Sequence, residues 1–190
     1  MSGKEYPKPS LTADVVAFSL DEQQRLSVLL IRRGHDPFAG HWAIPGGFCE
    51  PKETVSESAA RELLEETGIA GLPLEELRVF SRPGRDPRGW VVSVAHIAVL
   101  PVDRRKEAKG SDDATEAKFF VISESNNKSL SLTSEGQPAG TLAFDHDEML
   151  QAAVTRLKER ASDLVPLLYG REMGPDEARA ALDRALGFGA

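Results

Sequence analysis

Cysteine is almost missing from this 190-residue chain: Cys49 stands alone, so no internal disulfide and no cysteine-rich zinc cluster can form. A single thiol fits a reducing compartment, and a cytoplasmic location is expected. Long apolar runs are missing too. The longest, Val91 to Val102, is interrupted by Ser93 and His96 and is too short to span a bilayer. Met1 to Ser10 is polar, holds two prolines and lacks the apolar core of a signal peptide. Nor is there an excess of positive charge. The formal net charge of −7 argues against a general surface for nucleic acid or anionic membrane, so neither partner is expected. An anionic small substrate stays compatible, because local arginines and bound metals set the field inside a site.

What is present reads as a folded α/β chain, with 41% hydrophobic and 28% charged residues. The length suits one domain with a sizeable core and a short appendage. Residues 1–10 read as a loose arm, 11–165 as the domain and 166–190 as a short C-terminal helical appendage. Within the domain, Thr54 with Glu57 three residues later forms a capping-box signal, and Gly68 sits where a left-handed helix stop belongs, with Ile69 able to pack back on Leu64. The helix between them carries Glu62, Glu65 and Glu66 at i, i+3 and i+4, on one face. Like charges at those spacings cost about 0.2–0.5 kcal/mol per pair, and all three sit in the half where the helix dipole prefers cations. Only Arg61 offsets them. Local rules broken this consistently mark a site, and clustered carboxylate oxygens suit a hard divalent cation.

The segment fits the pattern G-x5-E-x7-R-E-U-x-E-E-x-G-U (U aliphatic) through Gly47, Glu53, Arg61, Glu62, Leu63, Glu65, Glu66, Gly68 and Ile69. It resembles the Nudix box, the signature of the Nudix hydrolase superfamily. The resemblance implies an α/β fold, a Nudix-type α/β/α sandwich with a mixed sheet. It also implies Mg²⁺, with Mn²⁺ as a substitute, held by Glu62, Glu65 and Glu66. A backbone carbonyl near Gly46 or Gly47 is implied as a further metal ligand, and Gly46 as glycine backbone close to phosphate. Glu53 would support the cluster from the helix start, and Arg61 would steady the glutamates by ion pairing. Glu65 and Glu66 carry the catalytic expectation with them.

Elsewhere the expectations are looser. Leu11 to Leu20 and Leu26 to Ile31 read as a hairpin, with Arg32 and Arg33 at its end; Arg33 better matches the family's phosphate-contacting arginine. Trp42 reads as a core residue. The run Arg82-Pro83-Gly84-Arg85-Asp86-Pro87-Arg88-Gly89 suits gripping phosphates through Arg82, Arg85 and Arg88, and resembles the ADP-ribose pyrophosphatase branch and the related regulators of NAD metabolism. One more acidic metal ligand is implied before the strand beginning at Glu116; Glu116 itself is the first choice and Asp113 the second. Ser123 to Thr141 reads as a long mobile loop, on which Glu135 or Glu124 would be the catalytic glutamate implied by the family. Asp145 reads as the N-cap of a helix with Glu148 at its third position, and Pro175 to Leu186 as a last short helix.

The reading that results is metal-dependent hydrolysis of the pyrophosphate bond of a nucleoside diphosphate derivative, ADP-ribose to AMP and ribose 5-phosphate, in a homodimer as relatives of this branch commonly are. One alternative is a non-hydrolysing ADP-ribose sensor with a winged helix after the sandwich. Nine acidic against six basic residues from Asp145 onward argue against that. Another is a hydrolase of dinucleotides, nucleotide sugars or nucleoside triphosphates.

Overall fold

The computed structural model describes residues 6–110 and 114–187. Its first strand, β1 (Ser10–Leu20), is buried almost throughout and so reads as a nearly continuous apolar run. Alternate side chains go to opposite faces. Ala13, Val15 and Ala17 meet one layer, while Val16, Phe18 and Leu20 meet the other. Strand β2 (Leu26–Arg33) returns antiparallel through a turn in which the Asp21 carboxylate accepts from the Gln23 and Arg25 backbone N–H groups. The expected hairpin is present.

Two short strands, β3 (Trp42–Ala43) and β4 (Gly46–Phe48), pair with β2 and β1 and lead into helix α1 (Val55–Thr67). Both halves of the capping box form: the Glu57 N–H donates to the Thr54 hydroxyl at 3.2 Å, and the Thr54 N–H to the Glu57 carboxylate at 2.7 Å. Gly68 takes φ +74° and donates to the Leu64 carbonyl, closing the helix. Leu64 is exposed, and Ile69 joins Leu63, Ala59 and Leu29 beneath the helix.

Strands β5 (Glu75–Phe80) and β6 (Val91–Val99) follow, and β6 runs parallel to β1. After a 3₁₀ turn at Val102–Glu107 come β7 (Ala114–Glu124), β8 (Leu130–Ser134) and β9 (Gln137–Pro138). The sheet order is β5-β6-β1-β2-β7-β8-β9, mixed in sense. The long loop expected over Ser123 to Thr141 is therefore largely a meander. Leu130 and Leu132 alternate with serine and threonine at strand spacing, Ile122 pairs with Leu132, and Leu132 is buried. The cue was a two-residue period hidden by polar neighbours.

Helix α1 covers one face of the sheet. Helices α2 (His146–Glu159), α3 (Ala161–Tyr169) and α4 (Pro175–Ala185) cover the other, giving the α/β/α layering. Ala178, Ala181, Leu182 and Leu186 lie in the same core as Val16, Phe18, Val28 and Leu30, so the last helix packs with the domain. Trp42 packs on this core edge-to-face with Phe120, ring centroids 4.7 Å apart. Among the described residues no helix is long and apolar enough to cross a membrane.

Candidate active site

A cavity of about 380 Å³ opens between the C-terminal half of α1, the strand ends of β1 and β2, the loop 82–89 and the start of α2. Its acidic wall comes from α1. Glu66 is buried, accepts from the Gly46 N–H at 2.8 Å, and has its carboxyl pushed up to about 8, chiefly by burial. Burial also raises Glu62. Arg61 gathers the other box acids. It donates to Glu53 at 2.7 and 3.1 Å, to Glu62 at 2.7 Å, to Glu65 at 3.0 Å and to the Phe48 carbonyl at 3.0 Å. Arg61 is the chief cause of Glu53 being held down at about 2, with the Ser58 hydroxyl and the Glu50 N–H adding to it. Glu53 is thus spent on orienting Arg61, and Arg61 on orienting Glu62 and Glu65.

Glycine is required beside this wall. A Cβ at Gly47 would stand 2.4–2.5 Å from the Glu62 carboxylate, and one at Gly46 would stand 2.4 Å from the Ala13 carbonyl oxygen. Among the described residues no three acidic, histidine or cysteine side chains enclose a single point. Glu62 and Glu66 still fit a Mg²⁺-type ion, because such an ion takes one or two carboxylates and completes its shell with water and substrate phosphates. Two incompletely compensated carboxylates on one wall are the donor set that arrangement needs.

Three polar residues that the sequence reading did not place at the site stand here, Asp14 and His146 lining the cavity and Asp145 next to His146. Asp14 interrupts the apolar run of β1, takes the Ser93 hydroxyl, and is raised to about 6, mainly by burial. His146 accepts the Ile44 N–H on Nδ1 at 2.9 Å, which leaves Nε2 to carry the proton, 3.8 Å from Asp14 Oδ1. Asp145 was expected to cap α2, yet its side chain makes no cap. It takes Arg85 bidentately at 2.7 and 2.9 Å, with the two side chains only 1% and 4% exposed. A buried guanidinium needs a counter-charge more than the helix start needs a cap. A lone acid within a strand buried on both faces was the available signal for Asp14.

Burial holds His146 at about 3, below its ordinary 6.5, so it stays neutral. From about pH 6.5 down to 3 the unfolded chain takes up the proton that the folded chain refuses, and stability falls with pH. Between pH 7 and pH 5 this group alone removes about 2 kcal/mol. His146→Gln keeps an acceptor for Ile44 and loses the titration. Urea unfolding at both pH values should show a smaller loss in the variant, whereas equal losses would contradict this role.

The arginines expected to grip phosphate reach three different destinations. Arg33 and Arg88 line the cavity; Arg85 lines it too but is committed to Asp145; Arg82 lies outside, exposed and paired with Glu148. Glu116, half-buried opposite Arg32 in β7, does not line the cavity, and Asp113 falls outside the described residues. Glu135 occupies the β8–β9 turn with its side chain 79% exposed and paired with Lys118, while Glu124 is buried against Lys158. Neither glutamate lines the cavity.

Comparison with known proteins identifies the family. Residues 10–138 match the NUDIX domain. The chain is 42% identical over 124 residues to an ADP-ribose pyrophosphatase of Methanocaldococcus jannaschii, covering 65% of this chain and 63% of that protein. It is 35% identical over 158 residues to the ADPR responsive transcriptional repressor NtrR of Acinetobacter baylyi, covering 82% and 57%. It thus spans about three fifths of the length of these two relatives. Among solved structures, a MutT/nudix family protein from Enterococcus faecalis superposes with a TM-score of 0.85 at 35% identity, covering 98% of this chain and 77% of that one. The NUDIX domain of Shewanella oneidensis NrtR, solved with ADP ribose, gives 0.60 at 27% identity, covering 80% and 90%. With the box residues assembled on α1 and the domain matched over most of its length, this chain belongs to the Nudix family.

Proposed function

We propose that this protein hydrolyses the pyrophosphate bond of a nucleoside diphosphate derivative, with ADP-ribose giving AMP and ribose 5-phosphate. The observation that carries the reading is one cavity walled by Glu62 and Glu66 on one side and by Arg33 and Arg88 on another. The names of two relatives, an ADP-ribose pyrophosphatase and a NUDIX domain solved with ADP ribose, support the choice of substrate.

Glu62 and Glu66 would hold Mg²⁺, with Mn²⁺ as a substitute. When bound, the ion neutralises diphosphate charge and lowers the pKa of water. Arg61 fixes the direction of Glu62 and Glu65, and the Gly46 N–H fixes Glu66. Arg33 and Arg88 present guanidinium groups to the phosphate oxygens. The bare backbone at Gly47 lets the β4 strand lie against the Glu62 carboxylate. Gly47→Ala is therefore expected to displace Glu62 and lower kcat/KM about a hundredfold, with a small change in melting temperature.

A second reading is an ADP-ribose-responsive regulator. It is favoured by the 35% identity to the Acinetobacter repressor across 82% of this chain, and by Shewanella NrtR having been solved with a 27mer DNA. The experiment that separates the two is Mg²⁺-dependent AMP release from ADP-ribose, NADH, a diadenosine polyphosphate and nucleoside triphosphates, with Glu66→Gln as control. Turnover of ADP-ribose that the variant lacks supports hydrolysis. Turnover of another compound moves the substrate. Tight ADP-ribose binding without any turnover establishes the sensor.

A further inference from the structure

One part of the cavity wall is not used by the acidic machinery. The Arg88 guanidinium carbon lies 4.7 Å from the centroid of the Phe48 ring and 5.2 Å from that of Phe144, so a flat cation is layered against two aromatic rings. Asp86, itself buried, takes the Nε and Nη2 groups of Arg88 at 2.7–3.2 Å and orients the plane. Arg88 remains 37% exposed by side chain, and Phe48 is 42% exposed. Phe48 is thus a large apolar ring held at the mouth of a polar cavity, where the protein's own core gains little from it.

Phe144 is unusual in another way. Its φ is +55°, a backbone conformation bulky residues seldom adopt. It is fixed from both sides, with Ala143 fully buried and Asp145 locked to Arg85. Phe38 braces its ring edge-to-face at 4.8 Å, and His146 lies beside it at 5.3 Å. Arg33 rests 4.9 Å from the same ring. Strained backbone held by its surroundings is a feature of ligand sites, and here it delivers an aromatic ring to the cavity.

We infer that Phe48 and Phe144 form the seat of a nucleobase, a slot whose place the Arg88 guanidinium holds in the free protein. Resting on the reading of a nucleoside diphosphate derivative as ligand, the inference adds which side chains take the base. The base takes the place beside Phe48 and Phe144, and the Arg88 guanidinium it displaces turns to the diphosphate, with Glu62, Glu66 and Arg33 lining the same cavity. A base and a guanidinium are both flat and both stack on aromatic faces, so one can take the position of the other. Stacking reads the π face and not the hydrogen-bonding edge. The slot should therefore demand a base while tolerating its identity.

The test is binding of AMP, GMP and ribose 5-phosphate by calorimetry to the full chain and to Phe48→Leu, Phe144→Leu, Phe48→Tyr and Phe144→Tyr, with melting temperatures recorded for each. Each leucine variant should weaken AMP and GMP about tenfold and leave ribose 5-phosphate unchanged, and each tyrosine variant should restore nucleotide affinity. Folded leucine variants that bind AMP as tightly as wild type overturn the inference, as does a wild type that binds AMP no better than ribose 5-phosphate. ADP-ribose turnover is followed in parallel. Turnover with ring-independent AMP binding removes the base slot and keeps the hydrolase. Ring-dependent binding without turnover of any diphosphate keeps the slot and removes the hydrolase.

Discussion

Glu66→Gln is expected to lower kcat/KM for ADP-ribose about a thousandfold, on the order of 4 kcal/mol of lost transition-state stabilisation. The amide matches the carboxylate in shape and can still accept the Gly46 N–H, so the wall keeps its form. What it loses is the charge that a divalent ion needs. The same variant should be at least as stable as wild type at pH 8 without metal. In wild type the carboxyl is pushed up to about 8 from 4.5, so the folded state retains a proton that the unfolded chain releases. Stability from that group is present below about pH 4.5 and drains away as pH rises toward 8. Glutamine removes the drain. Inactivity with unimpaired stability, measured by AMP release and thermal melting on one preparation, would separate a site defect from misfolding; a variant that retains wild-type turnover contradicts the role given to Glu66.

Arg85→Ala should show the largest loss of stability, about 3–5 kcal/mol, lowering the melting temperature by about 10 °C. The guanidinium and the Asp145 carboxylate are both almost wholly removed from solvent and meet bidentately. Removing one partner leaves the other charge buried without compensation, which costs more than the pair itself contributes. Replacing both, with Arg85→Met and Asp145→Leu, should recover most of the loss. The pair also ties the loop 82–89 to the start of α2, so Arg88 and Phe144 are positioned by it from either side. A double-mutant cycle in urea measures the coupling, and additive losses would show that the two residues do not act as a pair.

The box helix was legible because its information is contiguous. Cap, acidic face, stop and central arginine lie within residues 47–69, and the helix period alone decides which side chains meet. The sandwich was implied by the resemblance of that same stretch to the Nudix box. Less legible was everything that depends on long-range contact. Arg82, Arg85 and Arg88 sit three apart in one loop and look equivalent, yet they pair with Glu148, Asp145 and Asp86 respectively. Nothing in the loop says which one will be buried; that is fixed by an aspartate sixty residues away. Asp145 carried a cap signal that was outweighed by a buried cation. Asp14 and Ser93 meet only because β6 lies parallel beside β1, a pairing made across the whole box. The β8 strand was hidden for a different reason, since its polar face looked like a loop until β7 supplied a partner.

The account stands most directly on whether the α1 wall holds a divalent ion, and Mn²⁺ binding followed by electron paramagnetic resonance measures that without reference to turnover. Wild type should bind Mn²⁺ saturably, more tightly with AMP present, and both Glu62→Gln and Glu66→Gln should weaken binding at least tenfold while melting as folded proteins. If the two variants bind Mn²⁺ as wild type does, the acidic face of α1 is not the metal site and the proposed chemistry is contradicted.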